Sequence, residues 1–95
     1  MGVYFFTLHE CSGRITEDPV GHEARDEEHA RRIAIDKARG IMAHEISQGR
    51  LCLSCWLVIK DRKGHEIMTL HFGDAVQMID ARGCPSEEQP GRAGG

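Results

Sequence analysis

The sequence predicts an α+β domain with two layers, in which one long helix covers one face of a mostly antiparallel, four-stranded sheet. Three observations lead to this fold class. The predicted elements follow the order strand, strand, helix, strand, strand; a short turn joins the strands of each pair; and one helical pattern runs from residue 27 to residue 48. At about 1.5 Å per residue this helix is about 33 Å long, enough to cross four strands.

The first strand pair occupies the start of the chain. Residues 3–10 form a run of β-branched and aromatic residues of strand length, and a turn follows at Cys11-Ser12-Gly13. A short, polar second strand is predicted over 14–17 and forms an edge of the sheet. Asp18-Pro19-Val20-Gly21 then has the residues of a second turn, with proline and glycine at the positions that favour them.

The helix over 27–48 has signals at both ends. Asp26 is a good N-cap, two glutamates lie in the first turn, and Gly49 provides the stop. Gly40 lies inside the helix, where it predicts close packing or a slight bend. Small and apolar residues recur at helical spacing: Ala30, Ile33, Ala34, Ala38 and Ile41.

A second hairpin follows the helix. Residues 51–60 alternate between apolar and mixed positions, Asp61-Arg62-Lys63-Gly64 is a loop, and 65–72 is the returning strand. Residues 73–79 are a last helical turn or an irregular cover. We predict one domain over 1–79 and a disordered tail over 80–95, which is rich in Gly, Pro, Ser and Glu.

The register of the second hairpin decides which side chains face the helix. A four-residue loop pairs Lys60 with His65, whereas a three-residue loop with a bulge pairs Lys60 with Glu66. A shift of one residue turns the whole strand over. We prefer the first register, because it places Leu57 opposite Met68 on an almost wholly apolar face.

The cysteines and histidines raise the question of a metal site. Cys52-x-x-Cys55 followed by His65-x5-His71 is similar in outline to a Cys2His2 zinc finger. On strands, however, residues three apart point to opposite faces, and residues six apart are separated by about 20 Å. We therefore predict no cofactor and no metal site within one chain. A zinc ion shared between chains stays an alternative, with three candidate ligands: His9, Cys11 and Cys84.

No catalytic motif is assembled in the sequence. It contains no Gly-rich phosphate loop, no Gly-x-Ser-x-Gly and no His-Glu-x-x-His. His9 and Cys11 share a strand face, but their Cα atoms are about 6 to 7 Å apart and no third group orients the imidazole. We therefore predict no catalytic residue and a protein that is not an enzyme.

Charge argues against nucleic acid as the main partner. The formal net charge is −3, and the cations of the helix alternate with acidic residues, whereas phosphate binding needs uncompensated cations. A small regulatory nucleic-acid binder is the alternative function. Six residues would serve it: Arg31, Arg32, Arg39, Lys60, Arg62 and Lys63.

The sheet face away from the helix is the best candidate for a binding surface. In the preferred register it carries Val3 and four further apolar side chains, which we expect to form the interface: Phe5, Trp56, Val58 and Ile67. A contiguous apolar patch that contains a tryptophan suggests a partner surface. We predict a non-catalytic interaction module that pairs with a protein partner, first of all as a homodimer. The alternative is that residues 76–79 fold back over the patch.

The compartment is also an expectation. No apolar run approaches the roughly 18 residues that a membrane span needs. The first residues lack the features of a signal peptide. We expect a cytoplasmic protein with reduced thiols and no membrane contact.

The motifs, taken in order, resemble an uncharacterised family of small bacterial proteins, a domain of unknown function. They are Tyr4-Phe5-Phe6, Asp18-x-x-Gly21, Asp26-x-x-x-Ala30, Asp61-x-x-Gly64 and Leu70-x-Phe72-x-x-Ala75-Val76. Members commonly begin with a Tyr-Phe-Phe-His strand; Thr7 replaces that histidine here, so any role of the histidine is absent. The resemblance spans about residues 3–79. It implies a small, single-domain cytoplasmic protein of bacteria and supplies no activity or catalytic residue.

Overall fold

Five strands and one helix form the domain, and they confirm the predicted α+β class. The computed structural model describes residues 1–79; the predicted tail over 80–95 lies outside the described residues. In chain order the elements are β1 (Gly2–His9), β2 (Ile15–Glu17), β3 (His22–Ala24), α1 (Glu27–Ser47), β4 (Trp56–Lys60), β5 (Glu66–His71) and a 3-10 turn (Phe72–Asp74). Within residues 1–79 no helix has the length and apolarity that crossing a membrane requires.

β1 is the strand that connects the two halves of the sheet. The order is β2–β1–β4–β5, all neighbours are antiparallel, and β3 pairs with the first residues of β1. The sequence does not predict β3, since the three residues His22–Ala24 include no strong strand former. Their pairing opposite Gly2–Tyr4 comes from β1, which extends past the end of β2 and leaves backbone groups free to bond.

α1 begins and ends within a residue of the predicted helix. The Asp26 carboxylate accepts a hydrogen bond from the backbone N–H of His29 at 2.8 Å, and Gly49 adopts φ +89° after the last turn. The buried stripe of the helix is made of small residues and one methionine: Ala30, Ala34, Ala38 and Met42. These short side chains let the helix lie close to the sheet. Opposite them the sheet contributes Phe6, Leu57, Ile59, Leu70 and the adjoining Phe72.

β4 is half as long as the predicted strand over 51–60. Its pairing with β1 ends where Trp56 lies opposite His9, because the chain of β1 turns away after that residue. Residues 51–55 therefore have no strand beside them and form an irregular segment. The alternating apolar pattern of 51–55 is genuine, but a strand also needs a partner for its backbone hydrogen bonds.

The turn of the second hairpin is shorter than the preferred prediction. The backbone N–H of Asp61 donates to the carbonyl of His65 at 2.9 Å. Lys60 lies opposite Glu66, so the predicted pairing of Lys60 with His65 is wrong. The Asp61 carboxylate accepts two backbone N–H groups of the loop, and Gly64 has φ +88°. These local bonds favour the three-residue loop.

A second shift of one residue in β5 restores the predicted faces. Ile59 lies opposite Met68, but the next residue, Lys60, lies opposite Glu66. Ile67 lies between these two residues of β5 without a partner in β4, so it is the extra residue of a β-bulge. Each one-residue shift turns the strand over, and two shifts cancel. Leu57 consequently lies opposite Leu70, not Met68, yet all these side chains face α1 as predicted.

Replacing Gly40 by alanine is expected to stabilise the domain by about 1 kcal/mol, the helix-propensity difference. A Cβ at Gly40 meets no atom within 4 Å, so the close packing that the sequence suggested is not the reason for this glycine. Urea unfolding measures the change.

Gly49 is the matched control for Gly40, since a Cβ there is equally free of contacts but φ is +89°. Gly49→Ala is expected to destabilise the domain by about 1 kcal/mol. If both variants changed stability in the same direction, helix propensity would not explain Gly40→Ala.

Candidate interaction face and thiol cluster

The sheet face that α1 does not cover, named the open face, is built mainly from the two central strands. On these strands the register places Phe5 opposite Lys60, Thr7 opposite Val58, and His9 opposite Trp56. Alternate residues of β5 complete the face. On β1, β4 and β5 its members are Val3, Phe5, Thr7, His9, Trp56, Val58, Lys60, Glu66, Ile67, Thr69 and His71.

All four residues predicted for the interface lie on the open face, but they differ in accessibility. Phe5, Trp56 and Ile67 are partly buried. Val58 is only 5% exposed, because β4 is an inner strand with paired neighbours on both sides. The change of register also changes the cross-strand pairs: Val58 lies opposite Thr69, whereas a pairing of Lys60 with His65 would place it opposite Ile67. Of these four apolar side chains, the other three therefore carry the accessible surface.

Two histidines flank the tryptophan of the open face. The rings of His9 and Trp56 stack with centroids 5.0 Å apart and planes inclined by 4°. On the other side, the ring of His71 lies 6.2 Å from that of Trp56 at 44°. The preferred register, with Lys60 opposite His65, would place Trp56 opposite Thr69, and only the observed register brings it opposite His71. This row of three rings crosses β1, β4 and β5 and was not predicted, because it depends on which strands are neighbours.

The C-terminal segment does not cover the open face, so the alternative that residues 76–79 fold back over it is wrong. Arg39 Nε donates to the carbonyl oxygen of Ala75 at 2.7 Å, which ties the segment to α1. Val76 packs against the core on the helix side, and Met78 and Ile79 are 65% and 44% exposed. Nothing in residues 1–79 therefore places an apolar cover on the open face.

The six cations considered for nucleic acid do not form an uncompensated patch. Arg31 is exposed on α1, Arg32 lies 3.9 Å from Glu28, and Arg39 binds the backbone near the 3-10 turn. Lys60 belongs to the open face. Around the hairpin loop, Arg62 and Lys63 share one surface hollow with Glu23, Glu27 and Asp61. Acidic groups thus accompany the cations, as the composition indicated.

Three cysteines meet at the end of the sheet that lies beyond His9 and Trp56, and we name them the thiol cluster. The Sγ atoms of Cys11 and Cys52 are 2.8 Å apart, and those of Cys52 and Cys55 are 3.4 Å apart. All three sulfurs lie within 4.8 Å of one another. The expectation that Cys52 and Cys55 point to opposite faces is wrong, because residues 51–55 are not a strand.

Backbone hydrogen bonds hold two of these cysteines in position. The N–H of Cys52 donates to the Glu45 carboxylate at 3.1 Å, which ties the irregular segment to the last turn of α1. The carbonyl of Cys55 accepts the N–H of Phe72 at 2.9 Å. Cys11 lies two residues after the end of β1, in a tight turn. The short Cys-x-x-Cys spacing was the one sequence signal for the cluster; nothing local connected it to Cys11.

The thiols differ in their ionisation. The contact with the Cys11 sulfur lowers the pKa of Cys52, whereas the same contact raises the pKa of Cys11. Burial raises the pKa of Cys55 to about 11. Cys52 is therefore the thiol of the three that ionises most readily.

Comparison with known proteins identifies a family to which the chain is related. A family model described as a domain of unknown function, DUF6894, matches residues 3–73. The chain belongs to the DUF6894 family. This confirms the expected relation to an uncharacterised family, over nearly the same residues. No curated protein and no solved structure matches the chain.

In this DUF6894 domain a cleft of about 630 Å³ opens between α1 and the strands β1 and β2. Phe6, Leu57 and Cys55 line its apolar part, and charged groups of both signs line the rest. Gly40 also borders the cleft, and its lack of a side chain keeps that wall open. Cys55 is thus buried among side chains but lies at a solvent-accessible hollow.

Proposed function

We propose that this DUF6894 domain is a non-catalytic interaction module of the cytoplasm and that its open face pairs with a second copy of the chain. The observation that carries the proposal is the position of Phe5, Trp56 and Ile67. These apolar side chains remain partly accessible on the one face of the sheet that α1 leaves uncovered. Apolar surface that stays accessible to water gains free energy when a partner covers it.

A second copy suits this face for two reasons. The charged side chains of this face lie at its margins: Glu17, Glu23, Lys60 and Glu66. Its centre, around Thr7 and Val58, carries no charge, so two such faces stack there with little charge to desolvate. Two sheets that pack face to face also form a sandwich, with about 10 Å between them. A domain with a single helix layer and a small core gains stability from such pairing.

Sedimentation tests the pairing across a range of protein concentrations. We expect a dimer at high micromolar concentration, and we expect Ile67→Glu to remain a monomer because it places a charge in the apolar contact. Ile46→Glu is the matched control, since Ile46 is 61% exposed on α1 and lies away from the open face; it should dimerise normally. A wild-type protein that stays monomeric throughout, or equal loss in both variants, would contradict the proposal.

A further inference from the structure

We infer that Cys11, Cys52 and Cys55 bind one zinc ion within a single chain. This site is separate from the open face and does not depend on self-association. It also differs from the shared site that the sequence left open, because all three sulfurs come from the same chain. The first ligand is 41 residues away from the second, and the fold brings the two together.

The distances suit a zinc–thiolate centre. A zinc ion binds cysteine sulfur at about 2.3 Å, so two sulfurs of a tetrahedral site lie about 3.8 Å apart. In the thiol cluster two of the separations are 2.8 and 3.4 Å, and the third is no longer than 4.8 Å. Each pair therefore needs a change of about 1 Å or less to accept the ion. Cys11 is exposed and Cys52 partly exposed, so a side-chain adjustment of this size meets little resistance.

The backbone around the ligands is already organised. Cys52 is tied to Glu45 of α1, and Cys55 to Phe72 after β5, by the hydrogen bonds described above. The turn after β1 is closed by hydrogen bonds between Glu10 and residues of the same turn. Because the three ligands sit on segments that the fold has ordered, binding costs little further conformational entropy.

The chemistry of three neighbouring sulfurs favours a bound metal ion over three protonated thiols. Zinc binding displaces the remaining thiol protons, and the divalent cation between the sulfurs offsets the repulsion among the three thiolates that result. Thiolate ligands favour soft or borderline ions, with zinc and Cu(I) foremost.

Three ligands leave the fourth position of a zinc ion open. Among residues 1–79, the side chains close enough together to bind one metal ion are these three cysteines. A water molecule or a donor from outside this group then completes the tetrahedron, as in zinc sites that keep an exchangeable position. Cys84 lies outside the described residues, and its contribution is tested by substitution.

Zinc titration of the reduced, metal-free protein against a chromophoric chelator tests the site. We expect one zinc ion per chain, with three or four sulfur ligands by X-ray absorption at the zinc edge. Cys11→Ser, at an exposed position, should weaken binding by at least the roughly 10- to 100-fold that loss of an outer-shell partner already costs. It should leave the circular dichroism of the metal-free protein unchanged.

Two further variants distinguish this site from a site with Cys84 as a ligand and from a site that forms only in a dimer. Cys84→Ser is the matched control: unchanged affinity means that three thiolates hold the ion, and weaker affinity with one zinc ion per chain means that Cys84 is the fourth ligand. Ile67→Glu keeps the site but removes the proposed pairing, so it should still bind one zinc ion. No zinc uptake by the reduced protein, full affinity in Cys11→Ser, or zinc bound only in a zinc-dependent dimer would overturn the inference.

Discussion

Phe72→Ala is expected to lower the free energy of unfolding by about 3–5 kcal/mol, the usual cost of truncating a buried phenylalanine. Phe72 is fully buried, and it lies between the sheet and α1 at the start of the 3-10 turn. Its backbone N–H also holds Cys55, so the cavity lies next to the irregular segment 51–55. Small domains have about 0.05–0.15 kcal/mol of stability per residue, so this one change removes much of the total.

Urea unfolding of the reduced protein measures that loss, with Phe5→Ala as the matched aromatic control. Phe5 lies on the open face and is partly buried, so its truncation removes less apolar contact and leaves no enclosed cavity. We expect the Phe5 variant to lose clearly less stability than the Phe72 variant. Equal losses would mean that the domain is stabilised as much by its open face as by the layer under α1, contrary to the packing described here.

Zinc is expected to raise the free energy of unfolding of the reduced protein by about 4 kcal/mol when free zinc exceeds its Kd about 1,000-fold. The ion binds the folded chain, where Cys11 and Cys52 are neighbours, far better than the unfolded chain, where 41 positions separate them. Because zinc displaces the thiol protons, the stabilisation should shrink as the pH falls. Thermal unfolding with and without zinc, at two pH values, measures both effects.

The control for zinc stabilisation is Cys11→Ser, in which zinc should raise the unfolding temperature clearly less than in the wild type, because a site weakened roughly 10- to 100-fold loses about 1.4 to 2.7 kcal/mol of the stabilisation. The metal-free variant should be about as stable as the metal-free wild type, since Cys11 is exposed. An equal shift in both proteins would assign the effect to zinc bound elsewhere, for example by surface histidines.

Local signals were sufficient for α1 and for the existence of both hairpins. The Asp26 cap, the alanine stripe and Gly49 each act within a few residues, and the structure uses all three. The open-face assignment also survived, although the register behind it was wrong. Side chains of a strand alternate between the two faces of the sheet, so only an odd shift in register moves a residue to the other face. The shorter loop and the bulge at Ile67 each shift the register by one residue, and together they leave the faces unchanged.

The thiol cluster could not be predicted, because its prediction required two non-local facts. One was that 51–55 has no strand beside it, since β1 turns away after His9. The other was that this same turn carries Cys11 to the place where Cys52 and Cys55 lie. An apolar pattern that alternates is compatible with a strand, and only the neighbouring chain decides whether one forms.

By itself the sequence determined the class of the fold, the position of the helix and which side chains face it. These follow from hydrophobic periodicity, capping and turn residues, all of which act between near neighbours in the chain. The tertiary structure alone decided which strands lie side by side, and hence the ring row of His9, Trp56 and His71 and the cluster of three sulfurs. Both arise where distant segments meet, and such meetings depend on the free energy of the whole packed domain rather than on any local preference.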